Sequence, residues 1–142
     1  MNKYMNIALK EATKAFKKGE IPIGAVVVKN GKIISKAHNI KESKKLSTAH
    51  AEIIAINKAC KKLKNWRLND CELYVTVEPC MMCCGAIIQS RISTVIYGTE
   101  NTNYGYSTVL EENNVKIIKG ICKEESKKII QNFFIKKRNQ NL

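Results

Sequence analysis

The sequence predicts an α/β fold, a mixed sheet with helices on its faces. Three observations predict it: two β-rich segments joined through Asn30-Gly31, later apolar strands alternating with helical patterns, and amphipathic helices near both ends. At 142 residues the chain reads as one domain, 1–142, able to bury roughly two-thirds of its unfolded surface without disulfides or a structural metal. Hydrophobic residues at 44% and charged residues at 26% are globular proportions, and no apolar run nears the roughly 18–20 residues of a membrane span.

From Tyr4 to Lys18, Met5, Ala8, Leu9, Ala12, Ala15 and Phe16 recur three or four apart, the spacing of an amphipathic helix, and Gly19 ends it. Ile21 to Val28 and Lys32 to Ala37 flank Lys29-Asn30-Gly31, and Asn-Gly favours a tight hairpin, so these strands are expected to be antiparallel neighbours. Asn39 to Leu46, polar and Lys-rich, reads as a loop. Ser47 or Thr48 is placed to cap a helix running to about Leu63, with Ile53, Ile54, Ile56 and Cys60 available to the core. Trp66 to Cys71 is turn-like, and Glu72 to Val77 is a buried strand. Pro79 suits the first turn of a helix, where its missing N–H costs nothing. Ser93 to Tyr97 is another strand, Asn101 to Tyr106 a loop, and Val115 to Ile118 a short strand. Glu124 to Lys137 is a final helix with Ile129, Ile130, Phe133 and Phe134 as its apolar side.

Lys and Arg number 25 against 12 Asp and Glu, a net charge of +13 that favours a polyanionic partner. Solvated lysines in a chain rich in Lys, Asn and Ile are the plain alternative. Six cysteines, arranged as one C-x-x-C and singles, suit metal binding in a reducing compartment better than a disulfide scaffold. The N-terminus lacks a signal peptide's apolar core, so a cytoplasmic protein is expected.

Chemistry concentrates in Thr48-Ala49-His50-Ala51-Glu52 and Val77-Glu78-Pro79-Cys80-Met81-Met82-Cys83. His50, Cys80 and Cys83 offer an imidazole nitrogen and two sulfurs, three good zinc ligands that leave the fourth tetrahedral position open. Zinc lowers the pKa of a water there toward about 7. Glu52, beside the metal but not bound to it, can take a proton and hand it to a leaving nitrogen. A capping box does not explain this Glu, because neither Ser47 nor Thr48 stands three residues before it. Residues two apart point to different sides of a regular helix, so His50 and Glu52 share a pocket only with an irregular helix start or a metal off the helix end. Cys84 is the candidate fourth ligand of a closed site, against its plainer reading as core filling.

H-x-E followed by P-C-x-x-C is the signature of zinc nucleobase deaminases. Within them, Thr48 to Glu52, Leu73 to Cys80, Gly85 to Ile88 and Ser90 to Ile92 resemble the bacterial tRNA-specific adenosine deaminases, over a span from about Met5 to Phe134. The resemblance implies a cytidine deaminase-like three-layer α/β/α sandwich with a five-stranded mixed sheet. It implies one Zn2+ per subunit and hydrolytic conversion of adenosine to inosine at the wobble position of a tRNA anticodon. It implies Glu52 as the proton carrier, Asn39 as a contact to base and ribose, and Ile21 and Pro22 in the pocket wall. It implies a homodimer whose partner helps frame the RNA site, with the basic run Lys127, Lys128, Lys136, Lys137 and Arg138 near the anticodon stem.

Two departures from that pattern stand out. Leu46-Ser47 replaces a frequent Asp-Pro pair, and Glu100, Asn101 and Asn103 stand where Arg, Asp and Lys are common. Asn101, in a loop the resemblance places against the nucleic acid, lacks a carboxylate's repulsion of phosphate, so weaker discrimination between ribose and deoxyribose is expected. Two other functions compete: the same chemistry on free cytosine, guanine or cytidine, and a zinc-stabilised nucleic-acid-binding module without catalysis.

Overall fold

The computed structural model describes residues 1–140. Helix α1, Asn2–Lys17, buries Met5, Ala8, Ala12 and Ala15 along the predicted stripe. Strands β1, Gly24–Lys29, and β2, Lys32–His38, pair antiparallel, with Asn30 at φ 51° and Gly31 at φ 74° in the turn. Two consecutive left-handed residues match the twist of a hairpin, and Asn-Gly adopts them at low cost.

Strand β3, Cys71–Val77, joins β1 antiparallel, while β4, Thr94–Thr99, and β5, Lys116–Lys119, follow in parallel. The sheet order is β2-β1-β3-β4-β5, the five-stranded mixed sheet implied by the resemblance. Side chains of β1 alternate between two cores. Ala25 and Val27 join Leu73, Val75, Val95 and Tyr97 beneath α3, Ala51–Leu63, and α4, Met81–Gln89. Val26 and Val28 join Tyr74, Ile96, Met5 and Ala8 on the face covered by α1 and by α6, Lys123–Gln140. Helices thus cover both faces in a three-layer α/β/α sandwich. Each fully buried Val or Ile contributes about 1.5–3 kcal/mol of the burial that holds the layers together.

Several sequence expectations are corrected. The 39–46 segment is not all loop: Lys41–Lys44 forms a short helix, α2, and a second short helix, α5, spans Thr108–Glu112. The helix expected after Ser47 or Thr48 begins at Ala51, and Pro79 precedes α4 instead of entering its first turn. On α6, Phe133 is buried against Phe16 at a ring separation of 6.1 Å, but Phe134 is exposed. Neighbouring helical residues lie about 100° apart, so Phe133 and Phe134 cannot both face the sheet.

One end of the sheet collects the starts of β1, α3 and α4 and the carboxyl ends of β2, β3 and β4. Open α/β sheets characteristically bind ligands beyond the carboxyl ends of parallel strands.

Candidate active site

His50 and Cys80 are the residues that cap α3 and α4 at their amino ends, both in extended conformation, with φ/ψ of −78°/152° and −76°/177°. Their side chains therefore project off the helix ends instead of from helical faces. Cys83, one turn into α4, completes the cluster: its Sγ lies 3.5 Å from His50 Nδ1, and Cys80 Sγ lies 3.8 Å from the same nitrogen. The three ligand atoms fall within 4.8 Å of one another. Tetrahedral zinc, with sulfur at about 2.3 Å and nitrogen at about 2.0–2.1 Å, sets sulfur and nitrogen about 3.6 Å apart, so these donors fit the ion in type and spacing. Both helix amino ends point positive charge at the sulfurs and favour their thiolate form.

Glu52 is in the first turn of α3, and the late helix start, at Ala51, allows it to accompany His50. His50 lies outside the helix, so the rule that separates residues two apart does not hold for this pair. Glu52 is 4% exposed, and its Oε1 has no hydrogen-bond partner. Burial pushes its carboxyl up to about 7, against the pull of its own backbone amide and of His50. A buried acceptor without a donor costs about 1–3 kcal/mol, more when charged, which marks a place for a water or a substrate group.

Cys80 and Cys83 shift each other in opposite directions. The Cys80 thiol is lowered to about 3, first by a hydrogen bond from Cys83 and then by His50, while Cys83 is pushed well above the thiol range by Cys80 and by burial. His50 is raised, chiefly through its hydrogen bond with Cys80. Metal takes both sulfurs as thiolates, so its binding releases protons.

Cys84 is not part of this group. It is fully buried in the core, its Sγ donates to the Pro79 carbonyl at 3.7 Å, and burial pushes it up to about 12. His38, the other histidine of the chain, is engaged with Glu11 at 2.9 Å.

Asn39 is buried, with its Oδ1 accepting the Ala51 amide at 2.7 Å. This bond caps α3 from the end of β2 and fixes the residue beside His50. Asn101 also spends its Oδ1 locally, on the Tyr104 amide at 3.1 Å.

A model of the MafB19-like deaminase family matches residues 1–138. The chain belongs to that family. The deaminase is 45% identical over 139 residues to the tRNA-specific adenosine deaminase of Bacillus subtilis (strain 168), a match covering 92% of this chain and 86% of the relative. It is 44% identical over 143 residues to that of Aquifex aeolicus (strain VF5), covering 96% and 95%. Among solved structures, one from a study of A-to-I editing by tRNA:A34 deaminases superposes with a TM-score of 0.86 at 35% identity, covering 91% of this chain and 99% of the other. A guanine deaminase from Bacillus subtilis superposes with a TM-score of 0.68 at 39% identity, covering 77% and 73%. This deaminase therefore stands among the tRNA-specific adenosine deaminases, as its motifs implied.

Two further acidic residues of the deaminase hold local structure through backbone amides, and neither stands out in the sequence. Glu78 Oε1 accepts the Asn101 amide at 3.2 Å, and its Oε2 accepts both the amide and the hydroxyl of Ser107. Glu20, 1% exposed, accepts the Glu42 and Ser43 amides at 3.0 and 2.6 Å and so caps α2 from outside. Although burial raises Glu20, those amides hold it below the usual carboxylate range. The only sequence signal for Glu78 was its place in the stretch leading to Pro79-Cys80, and for Glu20 its isolation between Gly19 and Ile21.

Proposed function

We propose that the enzyme hydrolyses the wobble adenosine of a tRNA anticodon to inosine, releasing ammonia, with zinc held by His50, Cys80 and Cys83. The observation that carries this reading is the unpartnered, buried Glu52 oxygen beside a three-donor group of zinc-ligand spacing. Relatives that bear the tRNA-specific name support the substrate, and a net charge of +13 suits a polyanion. Zinc bound there would supply Lewis acidity, making a water nucleophilic near neutral pH.

Glu52 does the proton work. Its carboxylate takes a proton as the water oxygen adds to C6 of the purine, gives it to N1, and delivers the second water proton to the exocyclic nitrogen as the C6–N bond breaks. A carboxyl pushed up to about 7 is suited to both halves of that traffic. Asn39, with Oδ1 committed to Ala51, offers its Nδ2 to the base or ribose, and Asn101 offers its own at the loop. The anticodon loop presents its base unpaired, so drawing it into the pocket costs little. The enzyme works in the cytoplasm as a homodimer.

A second reading, deamination of a free base, is favoured by the likeness to a guanine deaminase at 39% identity. The test offers zinc-loaded protein an anticodon stem-loop with adenosine at the wobble position beside free adenine, cytosine, guanine and cytidine, with products identified by mass spectrometry. Inosine in the stem-loop is the expected result; turnover of a free base alone overturns the tRNA reading. A DNA stem-loop of matched sequence measures the weakened sugar discrimination expected of Asn101.

A further inference from the structure

We infer that the segment from Asn101 to Ser107 is a fixed stacking platform, presenting Tyr104 and Tyr106 to the unpaired nucleobases that flank the target adenosine. The inference rests on the single-stranded RNA substrate proposed above.

Both rings stand out in the solvent: Tyr104 is 73% exposed and Tyr106 46%. Tyrosine usually buries most of its ring, so two exposed rings within three residues are surface held ready for a partner. The backbone that carries them is held in place. Glu78 grips both ends of the segment through the Asn101 and Ser107 amides, each at 3.2 Å, and through the Ser107 hydroxyl. Between those ends the Gly105 amide donates to the Asn101 carbonyl at 2.9 Å and the Tyr104 amide to Asn101 Oδ1 at 3.1 Å. The Tyr106 amide donates to the Pro79 carbonyl at 3.1 Å.

That last bond locates the platform, because Pro79 is followed directly by Cys80 of the three-donor group. Gly105 is required for the fit: a Cβ there would overlap the Glu78 carboxylate and come within 2.6 Å of the Asn101 carbonyl oxygen. A loop ordered before binding spends none of the complex's free energy on ordering. Aromatic side chains stack on any base, and removing one such stack weakens single-strand binding about 5- to 150-fold. Glu78 is accordingly a positioning residue, acting through the two tyrosines.

The experiment is a cycle between protein and RNA. Zinc-loaded wild type, Tyr104→Ala, Tyr106→Ala, the double variant and the corresponding Phe variants convert two anticodon stem-loops, one natural and one abasic at the nucleotides flanking the target adenosine. On the natural RNA the double variant is expected to raise KM at least tenfold with kcat within twofold, and the Phe variants to match wild type. On the abasic RNA, wild type and the double variant are expected to have equal KM. Gly105→Ala, with full zinc content, is expected to reproduce the double variant's loss. Equal losses on both RNAs, or an unchanged KM on the natural one, overturn the platform. Failure of the underlying substrate reading looks different: wild type then makes no inosine in either stem-loop.

Discussion

Glu52 lies two residues beyond His50, and because the helix begins only at Ala51 the pair escapes the rule that sends residues two apart to different sides of a helix. Glu52→Gln keeps the shape and removes the base. It is expected to lower kcat about 10²- to 10⁴-fold while zinc stoichiometry and melting temperature stay at wild-type values; inosine formation and metal analysis read both. The neighbouring cysteines separate just as cleanly. Cys84→Ala is expected to leave a small cavity, to cost about 1 kcal/mol in denaturant titration and to retain zinc, whereas Cys83→Ala is expected to lose it. Loss of zinc from the Cys84 variant would make it a ligand. The residues of the metal group and Glu52 were legible in the sequence because residue type and spacing alone suggest their chemistry. Glu78 was not, since a carboxylate that organises partners 23 and 29 residues away looks like any surface Glu until the chain is folded.

Elements were legible where their causes are local. The hairpin is set by Asn30-Gly31, and the five strands and long helices follow from apolar periodicity. Helices α2 and α5 escaped because four or five residues carry too little pattern, and α2 depends on Glu20 from 22 and 23 residues away. The start of α3 was misplaced for the same reason: its cap comes from Asn39, 12 residues before Ala51. Removing Asn39's oxygen by Asn39→Ala is expected to cost about 1 kcal/mol and to weaken zinc retention, read by denaturation and by competition with a chelator. Glu20 makes a pH-dependent contribution. Its carboxyl is lower in the folded state than in the unfolded chain, so its stabilising effect is complete well above the ordinary value of 4.5 and is lost as pH falls through that value toward the depressed one. Glu20→Gln is therefore expected to destabilise the protein by about 1–3 kcal/mol at pH 7 and by less at pH 3.5, as measured by urea titration at both.

Across the molecule, charge and core act separately. If RNA is held through phosphates, raising monovalent salt from 50 to 200 mM weakens stem-loop binding about 20-fold for even three neutralised phosphates, an effect a neutral free base cannot show. Filter binding across that salt range makes the comparison. Neither core on either side of the sheet includes His50, Cys80 or Cys83, so stripping zinc is expected to abolish turnover while far-UV circular dichroism stays at its native shape. The outer strands carry a consequence of their own. β2 exposes Lys32 and Lys36, and β5 reads Lys-Ile-Ile-Lys with both lysines exposed. A sheet open at both ends offers unpaired backbone to any passing copy, and rows of like charge are what keep such edges from annealing. Neutralising these lysines is therefore expected to lower the protein's solubility before it touches its chemistry.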